Sequence, residues 1–180
     1  MSGSFNPWLD PDTENDFSEQ APGVRAAQLE CYLAERVGRA KLLLVEEAPG
    51  FRGARFSDIA MTSERMLAGE HVAMGANLGV SGVSQRNSNA QHHVKTFTEP
   101  MTSIAWSLLL QRGLDAREFV FWNAFPCHPH KPGQPLTNRA PCPGSWLRPG
   151  ISWRECSNSL LGQRCWLSVV STSEPWLSWQ

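Results

Sequence analysis

Two short, unbroken apolar runs constrain this chain more than anything else in it: Leu42 to Val45 and Phe119 to Trp122. A strand with one face in water alternates apolar and polar residues. An unbroken run describes a strand covered on both faces, as in a parallel sheet between helical layers. In open α/β sheets, ligands bind beyond the carboxyl ends of such strands. The two runs deliver Glu47 and Asn123 to that location. A carboxylate and a carboxamide converging on one crevice suit a small polar ligand such as a nucleobase, because an amide donates and accepts at once.

The elements around these runs follow from pattern. Asn6 to Gly23 is a Pro- and Asp-rich lead, and Val24 to Arg39 is expected to be a helix burying Ala26, Leu29, Leu33 and Val37. Pro49-Gly50 opens a loop that continues to Phe56, and Ser57 or Thr62 starts a short helix through Leu67. Gly69 to His93, rich in Gly, Ser and Asn, reads as a long loop. Met101, Ile104, Ala105, Leu108 and Leu109 give a helical face that stops at Gly113. Beyond Trp122 the proline-rich run to Pro141 reads as extended loop.

The motif residues resemble those of the uracil-DNA glycosylase superfamily. In several bacterial branches its first motif is Gly-Glu-Ala-Pro-Gly after the first strand, followed by a phenylalanine that stacks on uracil. Glu47, Ala48, Pro49 and Gly50 match it, and Phe56 is the stacking candidate. The family's base-reading asparagine ends a later strand, where Asn123 stands. The run Pro126, His128-Pro129-His130-Lys131-Pro132-Gly133, Pro135-Leu136 and Asn138-Arg139-Ala140-Pro141 is similar to a bacterial subgroup lacking an iron–sulfur cluster. The resemblance covers about Phe5 to Pro141. It implies an α/β fold with three α/β/α layers around a central parallel sheet. It also implies hydrolysis of the N-glycosidic bond of uracil in DNA, the first step of base excision repair.

Such a reaction needs the base flipped out, held, and stabilised as negative charge builds on it, with a water positioned for attack. The resemblance implies that Glu47 positions or activates the water. Ala48, Pro49 and Gly50 would bind the base through backbone N–H groups, Phe56 would stack on it and Asn123 would read its edge. His128, His130, Lys131 and Arg139 would touch DNA phosphates. No cofactor or metal is implied. Taken singly, Glu47 reads equally well as a solvated loop carboxylate, Asn123 as the polar end of a strand, and Phe56 as core. His128 and His130 form a His-x-His pair that opens a third reading, a metal-dependent hydrolase, although zinc wants three or four ligands; His92 and His93 lie in another loop.

Two departures qualify the resemblance. Glu46 stands where the motif has its leading glycine. The family's second motif, a His-Pro-Ser-like loop whose histidine stabilises charge on uracil, has no counterpart after Asn123, since His128-Pro129 comes too early. Loss of one such donor commonly costs ~10²–10³ in rate. The expected activity is therefore impaired, and a catalytically inactive remnant that still binds uracil or DNA is the alternative.

The vocabulary changes at Cys142. Residues 142–180 hold five of the eight Trp and three of the five Cys, with no Ala, Asp or Lys. No strand alternation or long helical face is visible there. Trp, Cys and many Ser codons begin with T; read so that this T is the second base, with GC-rich codons, the stretch becomes a helical face, a glycine turn and a run Ala-Leu-Leu-Ala-Val-Gly. The domain is therefore expected to span 1–141 and to be incomplete, with its last strands missing or disrupted. Residues 142–180 are expected to be a tail translated in a non-native frame.

Partners follow from charge and sequence ends. Up to Ala40 there are seven acidic and three basic residues, and from Lys41 to Pro141 eight and ten. No broad basic face is announced, so contact with uracil-containing DNA must be local. Met1 to Gln20 lacks the pattern of a signal peptide, no apolar run approaches the ~18 residues of a membrane span, and five cysteines without paired spacing fit reduced thiols. The expectation is a cytoplasmic monomer.

Overall fold

The computed structural model describes residues 3–70, 78, 80 and 85–142, and the backbone of 166–170. The chain is mixed α/β. Its elements are β1 (Ser4–Phe5), α1 (Ala21–Ala34), β2 (Leu42–Glu46), α2 (Ala54–Ser57), α3 (Glu64–Leu67), α4 (Pro100–Gln111), β3 (Phe119–Asn123), β4 (His128–Pro129) and β5 (Trp166–Val170). β2 and β3 pair in parallel, with Leu42 opposite Phe119 and Glu46 opposite Asn123. Both apolar runs are thus neighbouring strands, and β3 is buried along its whole length. No helix among the described residues is long and apolar enough to cross a membrane.

The other edge of β2 pairs in parallel with β5, from Leu42 opposite Trp166 to Glu46 opposite Val170. Here the structure departs from expectation, because the tail contributes a strand where none was foreseen. Trp-Leu-Ser-Val-Val does not alternate, but aromatic and β-branched residues favour extended backbone. The remainder of the frame-shift expectation, 143–165 and 171–180, lies outside the described residues. So do residues 71–77, 79 and 81–84 of the expected 69–93 loop. Pro129 and His128 also differ from expectation: they form a two-residue antiparallel pairing with Ser4 and Phe5 rather than free loop.

Both long helices bury only part of the face that hydropathy picks: Leu29 and Leu109 are buried and Leu33 and Ala105 pack against the core, but the buried stripe is rotated from the rest. α1 buries Arg25, Gln28, Leu29 and Tyr32, and Arg36 just beyond it is also buried, whereas Val37 is 55% exposed. The polar members are there for the hydrogen bonds they make. Arg25 donates from Nε to Pro7 O at 2.6 Å and pairs with Asp16 at 2.8 Å. Arg36 donates to Tyr32 O, Leu78 O, Ala116 O and Phe119 O at 2.7–3.0 Å while lying over the Tyr32 ring. In α4, Thr102, Trp106 and Leu109 are buried, and Met101, Ile104 and Leu108 are at least half exposed. Apolar residues surround this helix, so periodicity could not choose the face. The Trp106 ring does: it packs 5.0 and 5.4 Å from Phe119 and Phe121 and donates to Met61 O and Thr62 Oγ1.

Two short helices replace the one expected from Ser57 or Thr62. Asp58 (φ 62°) and Met61 (φ 48°) adopt left-handed backbone between them, which ends α2 and reorients the chain into α3.

Candidate functional site

The parallel register brings the two candidate strand ends together. Ala124 N donates to Glu46 O at 2.8 Å and Phe125 N to Glu47 O at 2.9 Å, so the pairing continues past both strands and sets Glu46-Glu47 level with Asn123. Asn123 is 7% exposed, and its Oδ1 is buried with no hydrogen-bond donor among the described residues. A buried acceptor left unpaired costs about 1–3 kcal/mol. It faces little empty space at present. The cavity shared by Asn123, Trp122, Asp58, Trp8, Leu29, Ala60 and Pro126 measures about 10 Å³, room for one water and not for a base.

Asp58 was not foreseen as part of this region. Its carboxyl is fully enclosed; burial pushes its pKa well above the usual range, and the Trp8 indole N–H donates to it. No sequence pattern marks it, because its placement depends on the left-handed turn after α2.

Glu46 occupies the position of the motif's leading glycine. Burial, with Glu99 and Glu47 nearby, raises its pKa from 4.5 to about 8 against a hydrogen bond from the Met61 amide. Burial likewise raises Glu99. Glu99 lies against the motif turn: a Cβ at Gly50 would stand 2.7 Å from Glu99 Oε1, so no other residue fits there without moving that carboxyl. Glu47 itself is half buried, as is Ala48, while Pro49 and Gly50 are buried. Glu99 is six residues beyond His93, and nothing near it in the chain hinted at its role.

Phe56 is fully buried rather than open to a ligand. Phe97 stacks on it, with centroids 4.6 Å apart and planes within 7°. The Arg55 guanidinium lies 4.4 Å from the Phe56 centroid and 4.4 Å from that of Phe5. Two groups cannot share one ring face at these separations, so Arg55 backs Phe56 and Phe97 covers its front. His93 packs edgewise beside both rings. The ring expected to stack on a ligand is covered by the chain's own Phe97. The segment before Phe97 is tied down by Glu64, a buried carboxylate that accepts from Asn87 N (2.5 Å), Ser88 N (2.7 Å) and Ser88 Oγ (2.6 Å).

The proline-rich run differs most from expectation. His128 is buried, not facing phosphates: Nδ1 lies 2.7 Å from Pro49 O and Nε2 3.1 Å from Pro135 O. It pins the motif turn to the proline-rich loop, a joint reinforced by Phe51 N donating to Asn138 Oδ1 at 2.9 Å. Arg139 spends its guanidinium on His130 O, Ala140 O and Gly3 O, each at 2.8 Å. His130 is half buried, with Nδ1 2.9 Å from Lys131 O, and Lys131 is exposed. Of the four expected phosphate contacts, His128 and Arg139 therefore act as internal ties. Proline supplies no N–H, and neither proline nor glycine has a polar side chain, so this loop recruits a histidine and an arginine to hold it. Both His128 nitrogens face main-chain carbonyl oxygens, and its ring lies beside that of His130 with centroids 5.8 Å apart. Among the described residues no group of three or more His, Cys, Asp and Glu is placed to share a metal ion.

Both partners of His128 are carbonyl oxygens, yet a neutral imidazole has one N–H to offer. Burial is the larger influence and lowers its pKa from 6.5 to about 4. The folded chain therefore resists a proton that the unfolded chain accepts. The stability involved, about 3 kcal/mol, is present above pH 6.5 and is lost as pH falls towards 4. Urea midpoints across that window should fall more steeply for the parent than for His128→Gln; equal slopes would refute the assignment.

No family model, curated protein or solved structure matches this chain.

Proposed function

We propose that the chain is a uracil-DNA glycosylase-like protein, with the three-layer α/β/α architecture of that superfamily, acting on uracil in DNA. The observation that carries this reading is the juxtaposition at the strand ends. A buried amide with an unpaired acceptor stands level with the Glu46-Glu47 pair, beside a glycine turn held close by a third carboxyl. The Asn123 acceptor suits the ring N–H of uracil, and the Glu47 carboxylate is the group to orient water at the sugar. Phe56 offers the stacking surface once Phe97 leaves it. A flipped base would then take the place of the Phe97 ring, which already has the spacing and tilt of a stacked base.

The test is uracil release from a single-stranded oligonucleotide containing one uracil. Slow release by the parent is expected, with a loss of about 10²-fold or more in Asn123→Ala. Release unchanged by Asn123→Ala would sink the assignment of the site, and neither release nor binding of uracil by the folded parent would sink the reading.

A binding-only protein is the second reading, favoured by a different observation. The chain has no His-Pro-Ser-like tripeptide after Asn123, and the platform is filled by Phe97. Retention of the uracil-containing oligonucleotide over its thymine counterpart, without release, would establish it.

A further inference from the structure

Arg55 is the most anomalous side chain in the described part of the molecule. Its side chain is fully buried, yet Nε and Nη1 have no hydrogen-bond partner among the described residues; only Nη2 is paired, with Asp12. Buried guanidinium groups normally use their fork of donors on carboxylates or carbonyls. The other two buried arginines do so: Arg25 on Asp16, Pro7 and Asp10, and Arg36 on four carbonyls. Arg55 is instead clamped between two aromatic faces, Phe5 and Phe56, both 4.4 Å from its Cζ.

The order of the stack gives this arrangement a use. Phe5, Arg55, Phe56 and Phe97 follow one another, and the last place is the one assigned above to a flipped base. A cation therefore sits directly behind the platform, on the axis of any base stacked in front. Asp12 and, more distantly, Asp16 offset part of this charge, and the Glu64 carboxylate lies beside Phe97, 3.4 Å from its N. Arg25 is neutralised by Asp16 at 2.8 Å, and Asp12, the counter-charge of Arg55, lies towards solvent with 14% of its side chain exposed. Burial first, and then neighbouring cations that include Arg55, lower the pKa values of His93 and His128.

We propose that Arg55 is an electrostatic positioning residue that favours the anionic form of a base stacked on Phe56, acting through the ring rather than by contact. The inference rests on the uracil reading of the site. It names what that site prefers: a pyrimidine carrying negative charge, the state that develops as a glycosidic bond to uracil breaks and the base departs with the bonding electrons. It also supplies a charge in a chain that lacks the histidine its resemblance would call for. At the ~9 Å separating guanidinium and base across the ring, with an effective dielectric of ~20 and part of the field cancelled by Asp12, the preference is about tenfold.

The experiment uses the full chain and two free bases, uracil and 5-fluorouracil, in mildly alkaline buffer where the fluorinated base is largely ionised and uracil is not. The readout is the ratio of their dissociation constants. The parent should favour 5-fluorouracil, Arg55→Lys should keep most of the preference, and Arg55→Met should lose about tenfold of it. Asp12→Asn, which removes the opposing charge and can keep the Oδ1 hydrogen bonds from Glu14 N and Asn15 N, should increase it. This last variant guards against misfolding of Arg55→Met, because a merely structural Arg55 would not strengthen anion preference when Asp12 is neutralised. Equal ratios in the parent, Arg55→Met and Asp12→Asn overturn the proposal while leaving the uracil reading intact. Failure of the parent to bind either base overturns both.

Discussion

Arg36→Met abolishes cooperative folding, or leaves a transition whose urea midpoint is lowered by more than any other single change in the described residues. The guanidinium donates to four main-chain carbonyls, from Tyr32, Leu78, Ala116 and Phe119, and covers the Tyr32 ring at 3.6 Å. Methionine fills much of the volume and donates nothing. Each hydrogen bond to a charged group is worth about 1.5–3 kcal/mol, and each buried carbonyl left without a donor costs about 1–3 kcal/mol. Even with half of these recovered by relaxation and water entry, the loss exceeds about 4 kcal/mol, a large part of the 5–15 kcal/mol typical of a whole domain. Equilibrium urea unfolding at neutral pH measures it, and a midpoint matching the parent's would contradict the account. The consequence reaches the site, because Phe119 O belongs to the strand that carries Asn123.

Glu46→Gln produces the opposite result, a protein that outlasts the parent in mild alkali. The Glu46 carboxyl has its pKa raised from 4.5 to about 8, chiefly by burial and then by Glu99. A carboxyl of this kind is protonated when folded at a pH where the unfolded chain has released the proton. Its contribution is complete below pH 4.5 and is lost progressively as pH rises through 8. The rise corresponds to about 5 kcal/mol as an upper figure. Glutamine is neutral at every pH. Stability should fall between pH 6.5 and 8 in the parent and stay nearly flat over that interval in Glu46→Gln. His128 acts with opposite sign between pH 6.5 and 4, so the parent's curve is expected to flatten where the two windows overlap and to fall above pH 6.5. A parent curve that keeps rising through pH 8 would refute the burial of a proton on Glu46.

The parts of this arrangement legible in the sequence are those where one local rule suffices. The unbroken apolar runs announced the parallel strands β2 and β3, although only β3 is buried throughout while β2 alternates, and Glu46, with Glu47 just beyond it, stands opposite Asn123. What stayed hidden has a common cause. Arg25, Gln28 and Arg36 count as surface residues on any hydropathy scale, yet each is buried because main-chain carbonyls or a carboxylate distant in sequence await it; α1 consequently buries these beside Leu29 and leaves Val37 exposed. Phe97 and Glu99 reach the motif turn from nearly fifty residues further along the chain. Asp58 is brought in by two left-handed residues that no turn signature marked. His128 and Arg139 looked like ligands for phosphate because they are cationic and sit in a loop. They are consumed by that loop instead, since its prolines cannot hold it alone.

The manner in which Phe97 is fastened decides how quickly the platform can change hands. Its main chain is held on both sides: Arg65 N donates to Phe97 O at 3.1 Å, and Phe97 N points to Glu64 Oε2 at 3.4 Å. The preceding Thr96 hydroxyl is bonded to Glu70 at 2.6 Å. Backbone so anchored does not swing away as a flap, a motion that takes microseconds to milliseconds. The ring is only half buried, and it can leave the Phe56 face by rotating about its own side-chain bonds, a step several orders of magnitude faster. Exchange between self-stacked and vacant states is then a rotamer equilibrium. The platform spends its idle time covered and dry, and becomes vacant without any part of the fold having to open.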